Sequence, residues 1–239
     1  MVRIYADIKM TKRRQKKAKP GQQSLPFHGG PREGAGRPRN KTRVSHAPRP
    51  VVKSRLPMHI TLRLLAALPW LRNYDLMPIL KRAFIACLDK DGFRIIQFSI
   101  QSNHIHLICE AKDAPALTRG MQGLSIRIAR RLNKETGRKG RLFAERYHAR
   151  ILRSPTEVRR VLAYVLNNAR RHAGPDISFP RGWIDPLSSA PWFNGWKLPP
   201  TPRPEAECPV VAPSTWLLAT GWRLRGLIAP DELPGEPPS

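Results

Sequence analysis

Apolar and β-branched residues recur along the middle of the chain in patterns that predict four strands. Met58–Leu65 is the first, and Phe93–Ile100 and His104–Glu110 form a hairpin because a short polar turn separates them. Leu142–Leu152 is the fourth. All four segments have the length and residue types of strands in a half-buried sheet.

Helical periodicity predicts three helices among these strands, at 76–88, at 113–133 and from Pro155 to about His172. Ser154 precedes Pro155 and Glu157, which together make a favourable helix start. The order is β-α-β-β-α-β with a C-terminal helix appended. This order is typical of the ferredoxin-like split βαβ pattern, an α+β fold with one antiparallel sheet and helices on one face.

Charge and composition divide the chain into three segments. Residues 1–56 carry 16 basic and 2 acidic side chains with little apolar periodicity, so we expect a disordered, phosphate-binding tail. Residues 57–174 hold almost all the periodic sequence. Residues 175–239 are rich in proline and contain five of the six tryptophans. We expect these aromatic rings to dock the segment onto the central domain and consider stacking against nucleic-acid bases the less favoured alternative.

The net charge of +26, from 43 basic and 17 acidic residues, predicts a nucleic-acid partner. No apolar run reaches the roughly 18 residues needed to cross a bilayer, and the basic N-terminus lacks the apolar stretch of a secretory signal. We therefore expect no membrane and no small-molecule substrate. Three scattered cysteines fit the reducing cytoplasm, with association to the nucleoid when the protein binds DNA.

Two histidines lie one residue apart in the third predicted strand. Because side chains alternate along a strand, His104 and His106 point to the same face. Two imidazoles on one face can chelate a divalent metal, and a metal beside a basic surface indicates chemistry on phosphate. A lone His-x-His on a strand is nevertheless more often incidental, so the pair needs a partner.

The last predicted helix supplies that partner. At about 100° per residue, Arg160, Tyr164, Asn168 and Arg171 fall together, on a different side from the apolar stripe. Tyr164 and Asn168 are one turn apart and can act on one small object. A tyrosine hydroxyl is a poor nucleophile unless its surroundings favour deprotonation, and a rim position in the core would explain this tyrosine equally well.

Taken together, these features resemble the HUH endonuclease superfamily, specifically the single-tyrosine transposases of insertion sequences and their REP-associated branch. Gln101–Ile108, Phe143–His148 and Val161–Asn168 carry the resemblance. It covers about residues 57–174, while both terminal segments lie outside it.

The resemblance implies a mechanism. His104 and His106 would bind Mg²⁺ or Mn²⁺, and Asn168 would complete the metal site. Tyr164 would attack a phosphate of single-stranded DNA with hairpin ends, leaving a 5′-phosphotyrosine and a free 3′-OH, and rejoining would reverse this step. The insertion-sequence members commonly carry glutamine at the third ligand position, so the shorter Asn168 matches the REP-associated branch better.

Basic side chains are expected to hold DNA phosphates along the domain. They are Arg127, Arg130, Arg131, Arg138, Lys139, Arg141, Arg160 and Arg171. His148 is a further candidate that either contacts DNA or helps to orient the site.

Three alternatives stay open. Tyr147 is a rival nucleophile, disfavoured because a strand would hold it rigidly. A domesticated, non-catalytic regulator that binds single-stranded nucleic acid is the competing class, although RRM domains of this architecture stack bases on aromatic residues where the 104–110 strand has histidines. A basic ribosome-associated protein would explain the charge alone. The chain is a monomer or a homodimer.

Overall fold

A five-stranded antiparallel sheet forms the centre of the computed structural model, which describes residues 51–65, 71–172, 177–198, 207–233 and 235. The expectations for the basic N-terminal tail lie outside these residues. The strands occur in the spatial order β2-β3-β4-β1-β5. They are β1 Met58–Arg63, β2 Asp89–Lys90, β3 Phe93–Ile100, β4 His104–Ala111 and β5 His148–Ile151. The expected α+β class with one antiparallel sheet is confirmed.

One face of the sheet packs against the first two long helices, α1 Met77–Ile85 and α2 Ala114–Glu135. Ile105 and Leu107 of β4 point into this core. Asp113 caps α2, since its side chain accepts a hydrogen bond from the Ala116 N–H at 2.7 Å. Because strand side chains alternate, the even-numbered residues of β4 must face the other side.

The opposite face is also covered, which differs from the expectation of helices on one face only. Ile108 of β4 packs against the apolar stripe of α3 Pro155–Leu166. Ser154 begins α3 by accepting from the Glu157 N–H at 3.2 Å, as its sequence predicted. A short helix, α4 Asn168–His172, follows.

The described residues after 176 form a C-terminal segment that packs over α3 and closes this second core. It contains the 3-10 helices Ala190–Trp192 and Gly221–Arg225 and the short helix α5 Trp216–Ala219. Trp196 and Trp222 are buried against α3, which agrees with the docking expected of the tryptophans, whereas Trp216 stays exposed.

Two of the expected elements differ in their bounds. The strand predicted at 142–152 is reduced to β5, because residues 142–147 form a loop in which Phe143 makes one isolated bridge to Leu64. The helix predicted to run to His172 ends at Leu166, and Asn167 separates α3 from α4. In the part of the chain that the structure describes, no helix is both long and apolar enough to span a membrane.

Two glycines of α2 provide a matched test of this packing. A methyl group at Gly120 would overlap the buried Phe93 ring, whereas one at Gly123 would meet only the mobile end of Arg127, 2.9 Å from Nη1. We expect Gly120→Ala to lower the free energy of unfolding by about 1–3 kcal/mol through overpacking. Gly123→Ala should leave it unchanged or raise it by up to about 1 kcal/mol, since alanine favours a helix.

Urea denaturation followed by circular dichroism measures both variants. Equal effects of the two substitutions would contradict the close packing of α2 on β3.

Candidate functional site

Three neighbouring strands direct polar side chains to the sheet face that α3 covers. In the antiparallel register, His106 pairs with Thr61 and Thr61 with His148, while Arg63 pairs with His104. Residues paired across strands point to the same side. The polar set on this face is His59, Thr61, Arg63, His104, His106 and His148.

The two histidines of β4 face each other through their Nε2 atoms, which lie 2.9 Å apart. His104 is half-buried, and its Nδ1 is 2.7 Å from the Asn103 side-chain oxygen, to which it can donate. His106 is almost fully buried. The expected convergence of the two imidazoles on one point is therefore present.

The second nitrogen of His106 contacts two side chains of β1, His59 and Thr61, which the sequence motifs do not include. Its Nδ1 lies 3.1 Å from His59 Nε2 and 3.3 Å from Thr61 Oγ1. The alternation of polar and apolar residues in β1 would have placed His59 and Thr61 on one face. Their position beside His106 depends on strand register, which is a long-range property.

Tyr164 of α3 reaches the same imidazole from above the sheet. Its hydroxyl is 3.4 Å from His106 Nε2, and the two rings pack edge to face with centroids 5.2 Å apart. The Arg171 guanidinium lies 5.8 Å from the Tyr164 ring centre. The tyrosine hydroxyl and one nitrogen of the histidine pair are therefore neighbours.

The residues predicted to form the polar side of the last helix differ in their exposure to solvent. Arg160 is exposed as expected, but Tyr164 is only 8% exposed and Asn168 is fully buried. Tyr164 is buried because it faces His106 on the sheet, and the C-terminal segment packs against the apolar residues of α3. This helix therefore lies between two layers.

Asn168 has an unusual environment. Both its side-chain oxygen and its side-chain nitrogen are buried, and neither has a hydrogen-bond partner among the described residues. The preceding Asn167 is satisfied, since its Nδ2 donates to Ala229 O at 3.0 Å and Glu232 O at 2.9 Å. A buried amide without partners costs free energy unless something else binds it.

Burial keeps the site histidines uncharged. It lowers the pKa of His106 to about 2 and, with smaller contributions from neighbouring cations and imidazoles, the pKa of both His59 and His104 to about 4. A neutral imidazole retains a lone pair, which is the form that binds a metal.

The donor set at this point fits a divalent cation only in part. Among the described residues, no group of three or more His, Cys, Asp or Glu side chains is arranged to hold a metal. The Nε2 atoms of His104 and His106 converge, however, and the side-chain oxygen of Asn168, at the start of α4, is buried without a partner among the described residues. His59 cannot join them on the same ion, because it contacts His106 from the Nδ1 side.

The other predicted DNA contacts lie at varying distances from this point. Arg171 is beside Tyr164, and His148 is exposed on the histidine face. The arginines of α2, at 127, 130 and 131, lie on the helix that covers the opposite face of the sheet. In the loop between α2 and β5, Arg138 is half-buried, Lys139 is exposed and Arg141 donates to the carbonyls of Phe143 and Ala144.

Tyr147, the rival nucleophile, packs against the core on the opposite face. It is half-buried and lines a groove of about 470 Å³ beside α2. It belongs to a loop and not to a strand, so the rigidity argued from the sequence does not apply. Its separation from the histidine face is the stronger reason to prefer Tyr164.

Comparison with known proteins gave a match to a family model and a match to a solved structure. Residues 53–168 match the family model described as "Transposase IS200 like". A solved structure described as the REP-associated tyrosine transposase bound to a REP hairpin is 18% identical, with 61% of this chain and 82% of that chain covered and a TM-score of 0.47. No curated protein matches the chain.

The lowered pKa values predict how stability depends on pH. In metal-free protein the folded histidines stay neutral below pH 6.5, while the same residues in the unfolded chain take up protons. The free energy of unfolding should therefore fall as the pH decreases from 6.5 towards 4. The charged or titratable neighbours that contribute are Arg63, His148, Arg150 and His172.

Urea titrations in excess EDTA at pH 7.5, 6.5, 6.0 and 5.0 measure this dependence. The decrease should be smaller in His104→Asn, which lacks one of these groups. Stability that stays constant or rises from pH 6.5 to 5.0 would contradict the buried, neutral state of the histidines.

Proposed function

Because residues 53–168 match the model of the IS200-like transposase family, we propose that the protein cleaves and rejoins single-stranded DNA through Tyr164. The observation that carries the proposal is the 3.4 Å approach of the Tyr164 hydroxyl to the paired imidazoles of β4. A nucleophile and two potential metal ligands, from elements almost sixty residues apart, meet at one point.

The proposed reaction exchanges one phosphoester bond for another. The Tyr164 oxygen attacks the phosphorus, the bond to the 3′ oxygen breaks, and a 5′-phosphotyrosine and a 3′-OH result. The phenol loses a proton and the 3′ oxygen gains one. Because one phosphoester bond replaces another, the reaction needs no energy from hydrolysis. The reverse attack by a 3′-OH rejoins the strand. The Arg171 guanidinium near the tyrosine ring favours the phenolate and the approaching phosphate.

We propose His104, His106 and Asn168 as the groups that hold Mg²⁺ or Mn²⁺. The two Nε2 atoms already converge, and an amide oxygen is a suitable ligand for a hard cation. A bound cation would polarise the scissile phosphate and stabilise charge on the leaving oxygen. Binding would also supply a partner for an Asn168 side chain that otherwise has none among the described residues.

We propose that the DNA contacts divide into two groups. Arg171, with Arg160 on α3 and His148 on β5, serves the strand that enters the histidine face. The basic residues of α2 and of the following loop hold phosphates farther from the cut, as a folded hairpin end requires. These contacts do not depend on the DNA sequence, and their contribution to DNA affinity would decrease as the salt concentration rises.

The strand order supports the ferredoxin-like interpretation of the fold. Apart from the two-residue edge strand β2, the four longer strands follow the order β3-β4-β1-β5. β1 and β4, which are the first and third of these strands in chain order, are therefore adjacent at the centre, as in a split βαβ arrangement. This topology brings the histidines of β4 under a helix that follows β5.

One observation favours the competing function, a non-catalytic binder of single-stranded nucleic acid. Tyr164 is 8% exposed, and its hydroxyl lies inside the contact between sheet and helix. A phosphate reaches it only if α3 or the covering segment shifts. If that shift does not occur, the basic surfaces would bind DNA without cutting it.

Covalent capture of DNA separates the two functions. Incubation of labelled, hairpin-bearing single-stranded DNA with Mn²⁺ should give a covalent protein–DNA adduct. Tyr164→Phe should abolish the adduct because the attacking oxygen is lost. The matched control is Tyr147→Phe, which removes a half-buried hydroxyl from the opposite face and should leave the adduct unchanged.

An adduct that persists in Tyr164→Phe and disappears in Tyr147→Phe would refute the assigned nucleophile. Binding without an adduct across a panel of hairpins and metals would support the non-catalytic function.

Neighbouring asparagines give a second test that combines stability with function. Asn168→Leu replaces a buried amide that has no partner among the described residues, so the free energy of unfolding should rise by about 1–3 kcal/mol while the adduct is lost. Asn167→Leu removes two hydrogen bonds to the C-terminal segment and should lower the free energy of unfolding. Urea denaturation in excess EDTA and the adduct assay measure both effects, and an adduct that persists in Asn168→Leu would contradict the metal-ligand assignment.

A further inference from the structure

His59 has a specific contact that the proposed reaction does not yet use. Its Nε2 lies 3.1 Å from His106 Nδ1, on the opposite edge of that ring from the 2.9 Å contact with His104. We propose that His59 is a positioning residue that holds His106 in the tautomer whose Nε2 is free to bind the metal. This inference rests on the proposed metal site.

The two Nε2 atoms of His104 and His106 lie at hydrogen-bonding distance from each other. At 2.9 Å, two nitrogen lone pairs repel unless a proton or a cation lies between them. Without metal, one ring must carry its proton on Nε2. A metal that binds both nitrogens replaces that proton, so the proton of each ring must then be on Nδ1.

Acceptors for both Nδ1 protons are already in position. His104 Nδ1 has the Asn103 side-chain oxygen at 2.7 Å. His106 Nδ1 is buried, and its nearest acceptor is His59 Nε2 at 3.1 Å, with Thr61 Oγ1 more distant at 3.3 Å. Hydrogen bonding at the second nitrogen of a metal-bound imidazole fixes its tautomer and orientation.

Strand register explains why His59 can do this without becoming a ligand. His59 lies opposite Ile108, two residues beyond His106, so its ring approaches from the side away from His104. The rings of His59 and His106 are tilted by 31° with centroids 5.1 Å apart, which directs an edge nitrogen of one towards the other. The pair is buried, and competition from solvent is therefore weak.

Metal affinity and tautomer state test the proposal on the full chain. His59→Phe keeps an aromatic ring but removes the acceptor. Mn²⁺ affinity, measured by electron paramagnetic resonance, should fall about 10–100-fold, as it does when other residues that hydrogen-bond to metal ligands are replaced. His59→Gln can present its amide oxygen near the position of Nε2 and should restore most of the affinity. Thr61→Val is the matched control and should change it little.

Nitrogen-15 spectra of the Mg²⁺-loaded protein provide a readout that packing alone would not change. In the natural chain, His106 should carry its proton on Nδ1, bonded to His59. A His106 proton on Nε2, or an affinity equal to that of the natural chain in His59→Phe, would overturn the proposal while leaving DNA cleavage untouched. No Mn²⁺ binding by the natural chain would instead remove the metal site itself and this inference with it.

Discussion

The burial of His106 between the sheet and α3 is the constraint on which the rest of the site depends. This one imidazole contacts His104, His59, Thr61 and Tyr164, and it is 4% exposed. A charged imidazole is disfavoured there, so the ring is held neutral and keeps a lone pair available. The distance between nucleophile and histidine pair is set by how closely α3 packs on the sheet.

That packing is secured from outside by the C-terminal segment. Glu110 at the end of β4 is buried, and its carboxylate accepts hydrogen bonds from the backbone of Ser214 and Thr215 at 2.8–3.1 Å. Arg159 of α3 forms an ion pair with Glu232 at 2.7 Å. One carboxylate of the domain and one of the segment thus hold the two together at defined points, and the segment is part of the site's support.

Much of the site could be predicted from the sequence because it depends on local periodicity. Alternation in a strand places His104 and His106 on one face. The cap at Ser154 likewise follows from the residues at the start of α3. Each of these features involves residues close together in the chain.

The remaining features depend on long-range contacts that local patterns do not encode. The position of His59 beside His106 follows from the register of β1 against β4. The last helix breaks at Asn167, whose side chain donates to two carbonyls of the C-terminal segment. The burial of Asn168, and the face on which Tyr147 lies, depend in the same way on how the layers pack.

Mass-spectrometric mapping of the covalently bound nucleotide tests whether Tyr164 is the residue that attacks DNA. Trypsin should release Tyr164 in the peptide 161–170 and Tyr147 in the peptide 147–150, so the two candidates are separated by mass. We expect a nucleotide joined through its 5′-phosphate to Tyr164 in the first peptide. A nucleotide on the second peptide, or on any residue other than Tyr164, would contradict it.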